Sequence, residues 1–246
     1  WWDAASIVVG IVIGAGIFVT PQELARLLPT PTAMMLAWVV SGGLVFCGAL
    51  AFAELSAMLP TTGGLYIYLR EAYGPGLAFS SGWVHLFALF SGATAYVASG
   101  FAKYLGALLP VEGWETVITV GLIWTLAVGA MVSTRAAVTL QNITNLAKVA
   151  ALLVLIGLAF SAGSPPENPA VAAAPGNFGA ALAVCFFCYE GWSYAGFVAG
   201  EMKRPKVDLP RAFAISFGLV VVLYLLVNLG YTRVLSVAEI QSSQQV

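Results

Sequence analysis

The chain has 246 residues, 60% of them hydrophobic and only 9% charged; a soluble domain carries about 25% charged residues, so a polytopic membrane protein is indicated. The net charge of −1 argues against a nucleic-acid partner, which would require a basic face. The single histidine, His85, excludes a metal site built from histidines within this chain.

Charges divide the sequence into apolar stretches. None falls between Asp3 and Glu23, Arg26 and Glu54, Glu71 and Lys103, Glu115 and Arg135, Glu167 and Glu190, or Arg211 and Arg233, and only Lys148 interrupts the stretch from Arg135 to Glu167. Crossing a hydrocarbon core of about 30 Å takes roughly 20 residues, and each stretch is long enough. They predict seven helices in one all-α transmembrane domain, over residues 4–25, 33–58, 77–108, 117–133, 142–161, 178–200 and 211–235.

Turn residues punctuate these elements. Pro60 to Gly64 ends the second helix, an amphipathic run from Leu65 to Tyr73 follows, and Gly74-Pro75-Gly76 admits the third. Asp208-Leu209-Pro210-Arg211 reads as a helix start, with Asp208 at or near the cap. Cys47, Cys185 and Cys188 all fall inside apolar stretches, so no disulfide is expected. The chain opens Trp1-Trp2-Asp3 without Met or a basic leader; no signal peptide is expected, and the true start is expected upstream.

Loop charge sets orientation. Arg70, Arg135, Lys203, Arg204, Lys206 and Arg211 share one side, while the other holds Arg26, Arg233 and the acidic loop Pro110 to Glu115. The basic loops are therefore expected in the cytoplasm, with Ser236 to Val246 outside.

Two apolar stretches are interrupted, at Gly14-Ala15-Gly16 and at Tyr189-Glu190-Gly191-Trp192-Ser193. Unpaired backbone cannot lie open to lipid, so the two breaks are expected to face each other or line a cavity, the pattern of a transporter binding site. If Ile13 ends one half-helix and Ile17 begins the next, the amides of Ala15, Gly16 and Ile17 suit a carboxylate. The carbonyls of Val12 and Ile13 suit an ammonium. An α-amino acid carries both charges. The competing reading makes Gly10 and Gly14 a GxxxG packing face.

Glu190 is an ionisable residue inside the membrane and so a functional candidate, for protons or for a cationic side chain. Alternatively it pairs with Lys148 or a backbone amide and only fixes the break. Lys148 lies deep on the fifth helix and needs a partner. It reads as a fixed ammonium where a coupling cation would otherwise bind, or else it snorkels to the interface. Phe187 precedes the second break and can close over a substrate; Trp192 and third-helix residues near Ala93 and Tyr96 complete a side-chain pocket. His85 reads as packed or hydrogen-bonded, and no base stands beside an activated Ser or Cys, so an enzyme has no candidate constellation.

At these residues the chain resembles the amino acid–polyamine–organocation (APC) transporters, and among them the L-type amino acid transporters. Val12 to Pro21 resembles their first-helix motif, and Ala53-Glu54-Leu55 with Gly63 to Tyr68 the end of their second helix. Phe187 to Trp192, Glu201 to Pro205 and Leu209 to Ala212 resemble their sixth helix and the loop after it, and Asn228 to Ser236 also fits. The resemblance implies an inverted five-plus-five helix repeat, leucine-transporter-like, with helices 1 and 6 unwound at mid-membrane. Residues 4–161 would form the first five-helix repeat and 178–235 the first two helices of the second, the C-terminal part of the fold being missing. It implies that the carboxylate- and amine-binding backbone lies at Gly14, Ala15 and Gly16, with Phe187 and Gly191 on the other side and Phe187 as the gating aromatic; with Val12, Ile13, Ile17 and Glu190 from the residues themselves, these make up the expected substrate site. A lysine matching Lys148 substitutes for a sodium site in related transporters, so sodium dependence is not expected.

The chain also departs from the pattern. Ala15 stands where the family often has Ser, and Glu190 where many eukaryotic members have a small residue, as bacterial serine/threonine-type exchangers do not. Leu109 to Glu115 lacks the Cys by which heteromeric members bond a heavy subunit. The expectation is a bacterial-type secondary amino acid transporter of the plasma or inner membrane, an exchanger or facilitator working by alternating access. Its partners would be an amino acid and membrane lipid, with no cofactor and no disulfide-linked heavy subunit. The alternatives are proton-coupled amino acid or polyamine transport through Glu190, and a non-transporting membrane sensor or scaffold.

Overall fold

A computed structural model of the chain describes residues 2–14, 16–109, 113–162, 176–191 and 204–243, and every regular element among them is helical. Five of these helices are long and apolar enough to cross a membrane. Among the described residues, the first expected helix is broken after Val12 and the sixth ends at Cys188.

The first expected helix is two, α1 (Trp2–Val12) and α2 (Gly16–Leu27). The second, α3 (Pro31–Met58), starts where the Thr30 side chain accepts from the Ala33 amide at 3.2 Å, with Pro31 in the first position, where its missing N–H costs nothing. The amphipathic run is α4 (Leu65–Tyr73). The third expected helix comprises α5 (Pro75–Trp83), a π-helical stretch (Val84–Phe90) and α6 (Ser91–Leu108). The fourth is α7 (Glu115–Val132).

The fifth, α8 (Thr134–Ser161), begins eight residues before the expected 142. The Ser133 hydroxyl accepts from the Ala136 amide at 3.2 Å, and this cap lets the polar run to Asn142 wind as helix. The sixth is described as α9 (Phe178–Cys188), capped by Asn177, whose side chain accepts from the Ala180 amide. Its expected continuation through Trp192 and Ser193 to residue 200 lies outside the described residues.

The seventh, α10 (Pro205–Val234), begins at Pro205 rather than 211, with Arg204 at the cap position. Asp208 is thus in the first turn, 3.6 Å from the Arg204 guanidinium. A short helix that the sequence reading did not include, α11 (Val237–Ser242), is closed by a capping box between Ser236 and Glu239.

The chain divides into two compact units, residues 1–64 with 145–246, and residues 65–144. In the first, α10 packs on α3 and α1, α9 on α3 and α2, and α11 on α2. Its centre holds Trp38, Phe213, Phe217, Tyr189 and Tyr224, all fully buried. Small residues admit the close approaches that membrane helices rely on: a Cβ on Gly16 would lie 3.2 Å from the Cys188 sulfur, and one on Gly42 3.1 Å from the Tyr189 hydroxyl.

In the second unit α4 packs on α5 and α6 on α7, and Gly82 lies against the Tyr66 ring. His85, inside the π-helical stretch, is hydrogen-bonded as expected, through Nδ1 to the Ser81 carbonyl at 2.8 Å. The Ser91 hydroxyl donates to the Leu86 carbonyl at 2.9 Å, supplying a partner where wider winding disturbs the usual ladder.

Candidate functional site

The first break begins where α1 stops at Val12. The Ile13 amide still reaches the Val9 carbonyl at 2.9 Å, but the Gly14 amide turns back to Val12 at 2.8 Å, and helix resumes at Gly16. The first amides of α2, those of Gly16 and Ile17 included, have no carbonyl within their own helix. Val12, Ile13 and Ile17 are buried; Ala15 lies outside the described residues.

Protein donors meet the carbonyls of α1 both at its end and along its length. The Lys148 ammonium donates to the carbonyls of Gly10 and Ile13, each at 2.9 Å. A cation there is favoured by the negative pole of the α1 dipole as well as by two charge-assisted bonds. One turn earlier on α8, the Asn145 amide donates to the Ser6 carbonyl at 3.2 Å. From α10, the Ser216 hydroxyl donates to Ala5 at 3.2 Å and the Tyr224 hydroxyl to Val12 at 2.8 Å. Lys148 is therefore held on backbone, neither snorkelling nor pairing with Glu190 among the described residues.

The GxxxG alternative holds for one glycine. A Cβ on Gly10 would land on the Asn145 amide, whereas one on Gly14 would meet nothing within 4 Å among the described residues. Gly10 is small so that α8 can approach; Gly14 belongs to the break.

At the second break the Tyr189 amide reaches back to Cys185 and Phe186 at 3.2 and 3.1 Å, and the Glu190 amide to Phe187 at 3.2 Å. Gly191 follows with φ +115°, a backbone conformation open to glycine at little cost. The two breaks touch. A Cβ on Gly191 would lie 2.5 Å from Ile11 Cγ2 and 3.5 Å from the Ile11 carbonyl carbon, while Gly16 lies against Cys188. An aromatic cluster joins them from the side: Tyr189 and Tyr224 rings are 5.2 Å apart, and Trp38 meets both edge-on at 5.6 and 5.8 Å.

Phe187 and Glu190 stand apart from that contact. Phe187 is 67% exposed, and with Glu190 it lines an open cavity of about 420 Å³ against Leu44, Val45 and Gly48 of α3. Ala93 and Tyr96 belong to the second unit. Trp192 lies outside the described residues.

Sequence reading missed Asn145, Ser216 and Tyr224, each a polar group in an apolar helix that reaches α1. The signal was present. Asn145 precedes Lys148 by three residues and so shares its helix face, and Ser216 and Tyr224 are eight apart on one face of α10.

An amino acid permease family model matches residues 1–246. The serine/threonine exchanger SteT of Bacillus subtilis (strain 168) is 31% identical over 244 residues, covering 96% of this chain and 55% of that protein. The human b(0,+)-type amino acid transporter 1 is 30% identical over 255 residues, 98% of this chain and 52% of the relative. The human cystine/glutamate transporter is 28% identical over 261 residues, 98% of this chain and 50% of the relative. The chain spans about half the length of these curated relatives. Two touching helix breaks and a family match from first residue to last agree: this chain belongs to the amino acid permease family of the APC superfamily.

Proposed function

We propose that this chain forms part of a sodium-independent secondary amino acid transporter, an exchanger or facilitator that works by alternating access. The observation that carries the reading is the meeting of the breaks, Gly191 on Ile11 and Gly16 on Cys188, with the Lys148 ammonium on the Gly10 and Ile13 carbonyls. Backbone dipoles of both signs then lie within reach of one zwitterion, and a fixed cation stands where a coupling ion would otherwise be needed. The residues assigned to substrate are Val12, Ile13, Gly14, Ala15, Gly16, Ile17, Glu190, Gly191 and Phe187, the last as the gate. Residues 4–161 serve as the first five-helix repeat and 178–235 as the opening of the second. The protein resides in the plasma or inner membrane with its basic loops in the cytoplasm, and works without a disulfide-linked heavy subunit.

The names of the relatives, transporters and exchangers of amino acids, support the substrate class. The test is counterflow in proteoliposomes holding the purified protein. Uptake of labelled amino acid is expected to be accelerated by amino acid preloaded inside and unaffected when choline replaces sodium. Uptake that requires sodium rejects the reading. Binding without counterflow favours a sensor instead.

A second reading rests on Glu190, which is exposed and has no ion-pair partner among the described residues. In that reading it takes up a proton or meets a cationic side chain. Glu190→Gln then abolishes the pH dependence of uptake; an unchanged profile rejects that role.

A further inference from the structure

A groove of about 510 Å³ opens between α8 and the end of α10, and no residue of either break lines it. Ala151, Val154 and Leu158 form one wall, Gly230, Tyr231 and Val234 the other. Gly230 brings the two helices together, since a Cβ on it would lie 3.0 Å from the Ala159 Cβ. Val154 and Leu158 nonetheless stay 62 and 66% exposed, so no described part of the chain fills the groove. On α8 the lining runs from Ala151 to Ala162, about 16 Å at 1.5 Å per residue. One leaflet of a hydrocarbon core of about 30 Å is about 15 Å deep. The groove thus has the length of a single leaflet, and an acyl chain is the apolar rod that a leaflet supplies.

A cation stands at the end of the groove where both helices stop. Arg233 is in the last turn of α10, and its guanidinium lies 5.1 Å from the centre of the Phe160 ring, near the end of α8. Arg233 adjoins the groove residue Val234 and Phe160 adjoins Ala159, so this bridge and the groove share one end. The ring holds the flat face of the guanidinium, which leaves the N–H groups in its plane for an acceptor. No acid answers them: Arg233 has no ion-pair partner among the described residues, and its buried Nε has no hydrogen-bond partner among them.

We propose that this groove seats an acyl chain of an anionic glycerophospholipid whose phosphate accepts from the terminal nitrogens of Arg233. The two halves of the seat match the two halves of such a lipid, hydrocarbon against an apolar wall and phosphate against a planar guanidinium, which suits it as a fork. A zwitterionic phospholipid fits less well, because its headgroup carries a cation of its own toward Arg233. The seat requires only a membrane-embedded chain, whichever solute that chain moves.

The experiment offers phosphatidylglycerol and phosphatidylcholine with the same acyl chains to the purified full-length protein in mild detergent, and reads retained lipid by native mass spectrometry. Phosphatidylglycerol is expected to be retained about fivefold more strongly, the weight of one basic residue near a membrane surface. Arg233→Gln is expected to bring it down to the level of phosphatidylcholine, and Arg233→Lys, which keeps the charge and loses the fork, to preserve part of the preference. Ala151→Trp, at the far end of the groove, is expected to lower retention of both lipids and leave their ratio unchanged.

Equal retention of the two lipids by the unaltered protein, or none of either, overturns the proposal, as does a preference that survives Arg233→Gln. Retention untouched by Ala151→Trp also overturns it, because the chain would then lie elsewhere; this variant keeps Arg233 and serves where Arg233→Gln does not fold. Glu167, the acid between α8 and α9, lies outside the described residues. If Glu167→Gln increases retention of phosphatidylglycerol, Arg233 already has an acid of its own chain in the unaltered protein, and the lipid assignment fails.

Discussion

Gly191 lies so close to Ile11 that a Cβ on the glycine would sit 2.5 Å from the isoleucine Cγ2. The same glycine has φ +115°, so two independent constraints, backbone and contact, act on one residue at the meeting of the breaks. Gly191→Ala is expected to lower stability by about 1–3 kcal/mol through the strained backbone, with a further loss from the clash. Ile11→Ala placed on top removes the clash and not the strain, so it should restore part of the midpoint and never all of it. Thermal unfolding of the two single variants and the double variant checks this; full restoration would show that the contact alone governs.

Lys148 makes a separate prediction, since it is held by two carbonyls and not by an acid. Hydrogen bonds to a charged group contribute about 1.5–3 kcal/mol each, and Lys148→Met forfeits both while leaving the Gly10 and Ile13 oxygens facing the gap. The variant is expected to unfold at a clearly lower temperature than the parent. If the ammonium stands in for a cation, sodium should recover part of that loss in Lys148→Ala and leave the parent unmoved. A thermal midpoint of Lys148→Ala that ignores sodium would reduce Lys148 to a helix clamp.

Tyr189 and Tyr224 share one aromatic cluster but not one chemistry. Both are fully buried, and while the Tyr224 hydroxyl donates to Val12, the Tyr189 hydroxyl and the Trp38 indole nitrogen have no hydrogen-bond partner among the described residues. A buried hydroxyl without a partner is a cost that removing it relieves. Tyr189→Phe is therefore expected to leave the thermal midpoint unchanged or to raise it, whereas Tyr224→Phe lowers it. Equal losses from the two substitutions would contradict the difference in bonding.

The helices were legible because charge is so sparse: α3 and α7 lie within two residues of the expected ranges 33–58 and 117–133, which were read from stretches nearly free of charge. The break at Gly14 was legible because two glycines flank one small residue in an otherwise apolar run. The early starts of α8 and α10 were not, because a polar segment reads as loop unless the cap at Ser133 and the cap position at Arg204 are recognised. Nor was the role of Tyr224, because a tyrosine in an apolar helix looks the same whether its hydroxyl finds a carbonyl or, like that of Tyr189, finds no partner among the described residues. Which carbonyl lies across from it is a fact of tertiary packing. Sequence reading also assigned the Val12 and Ile13 carbonyls to a substrate without asking which side chains would reach them first.

The short helix α11 carries the clearest pH dependence outside the membrane spans. Ser236-x-x-Glu239 is a capping box, in which the Glu239 carboxylate accepts from the Ser236 amide at 2.8 Å and from its hydroxyl at 2.7 Å, while the Ser236 oxygen accepts from the Glu239 amide at 3.3 Å. These bonds from Ser236 hold the Glu239 carboxyl below its ordinary value of 4.5. A carboxyl lowered by folding stabilises the helix above its unfolded pKa, and that contribution is lost as pH falls through the lower, folded value. The consequence reaches α2, because Ile240 is fully buried and the Gln241 side chain donates to the Ala25 carbonyl at 3.2 Å. Amide hydrogen exchange at Ile240 and Ser243 is therefore expected to be slow and unchanged in relative protection from neutral pH down to about 5, and to lose protection as pH falls below 4.5. Ser236→Ala, which removes the hydroxyl from both ends of the box, should lower protection at neutral pH and flatten its dependence on pH. Protection that stays constant through the acid range in the unaltered protein would mean that Ile240 and Gln241 hold α11 in place without help from the cap.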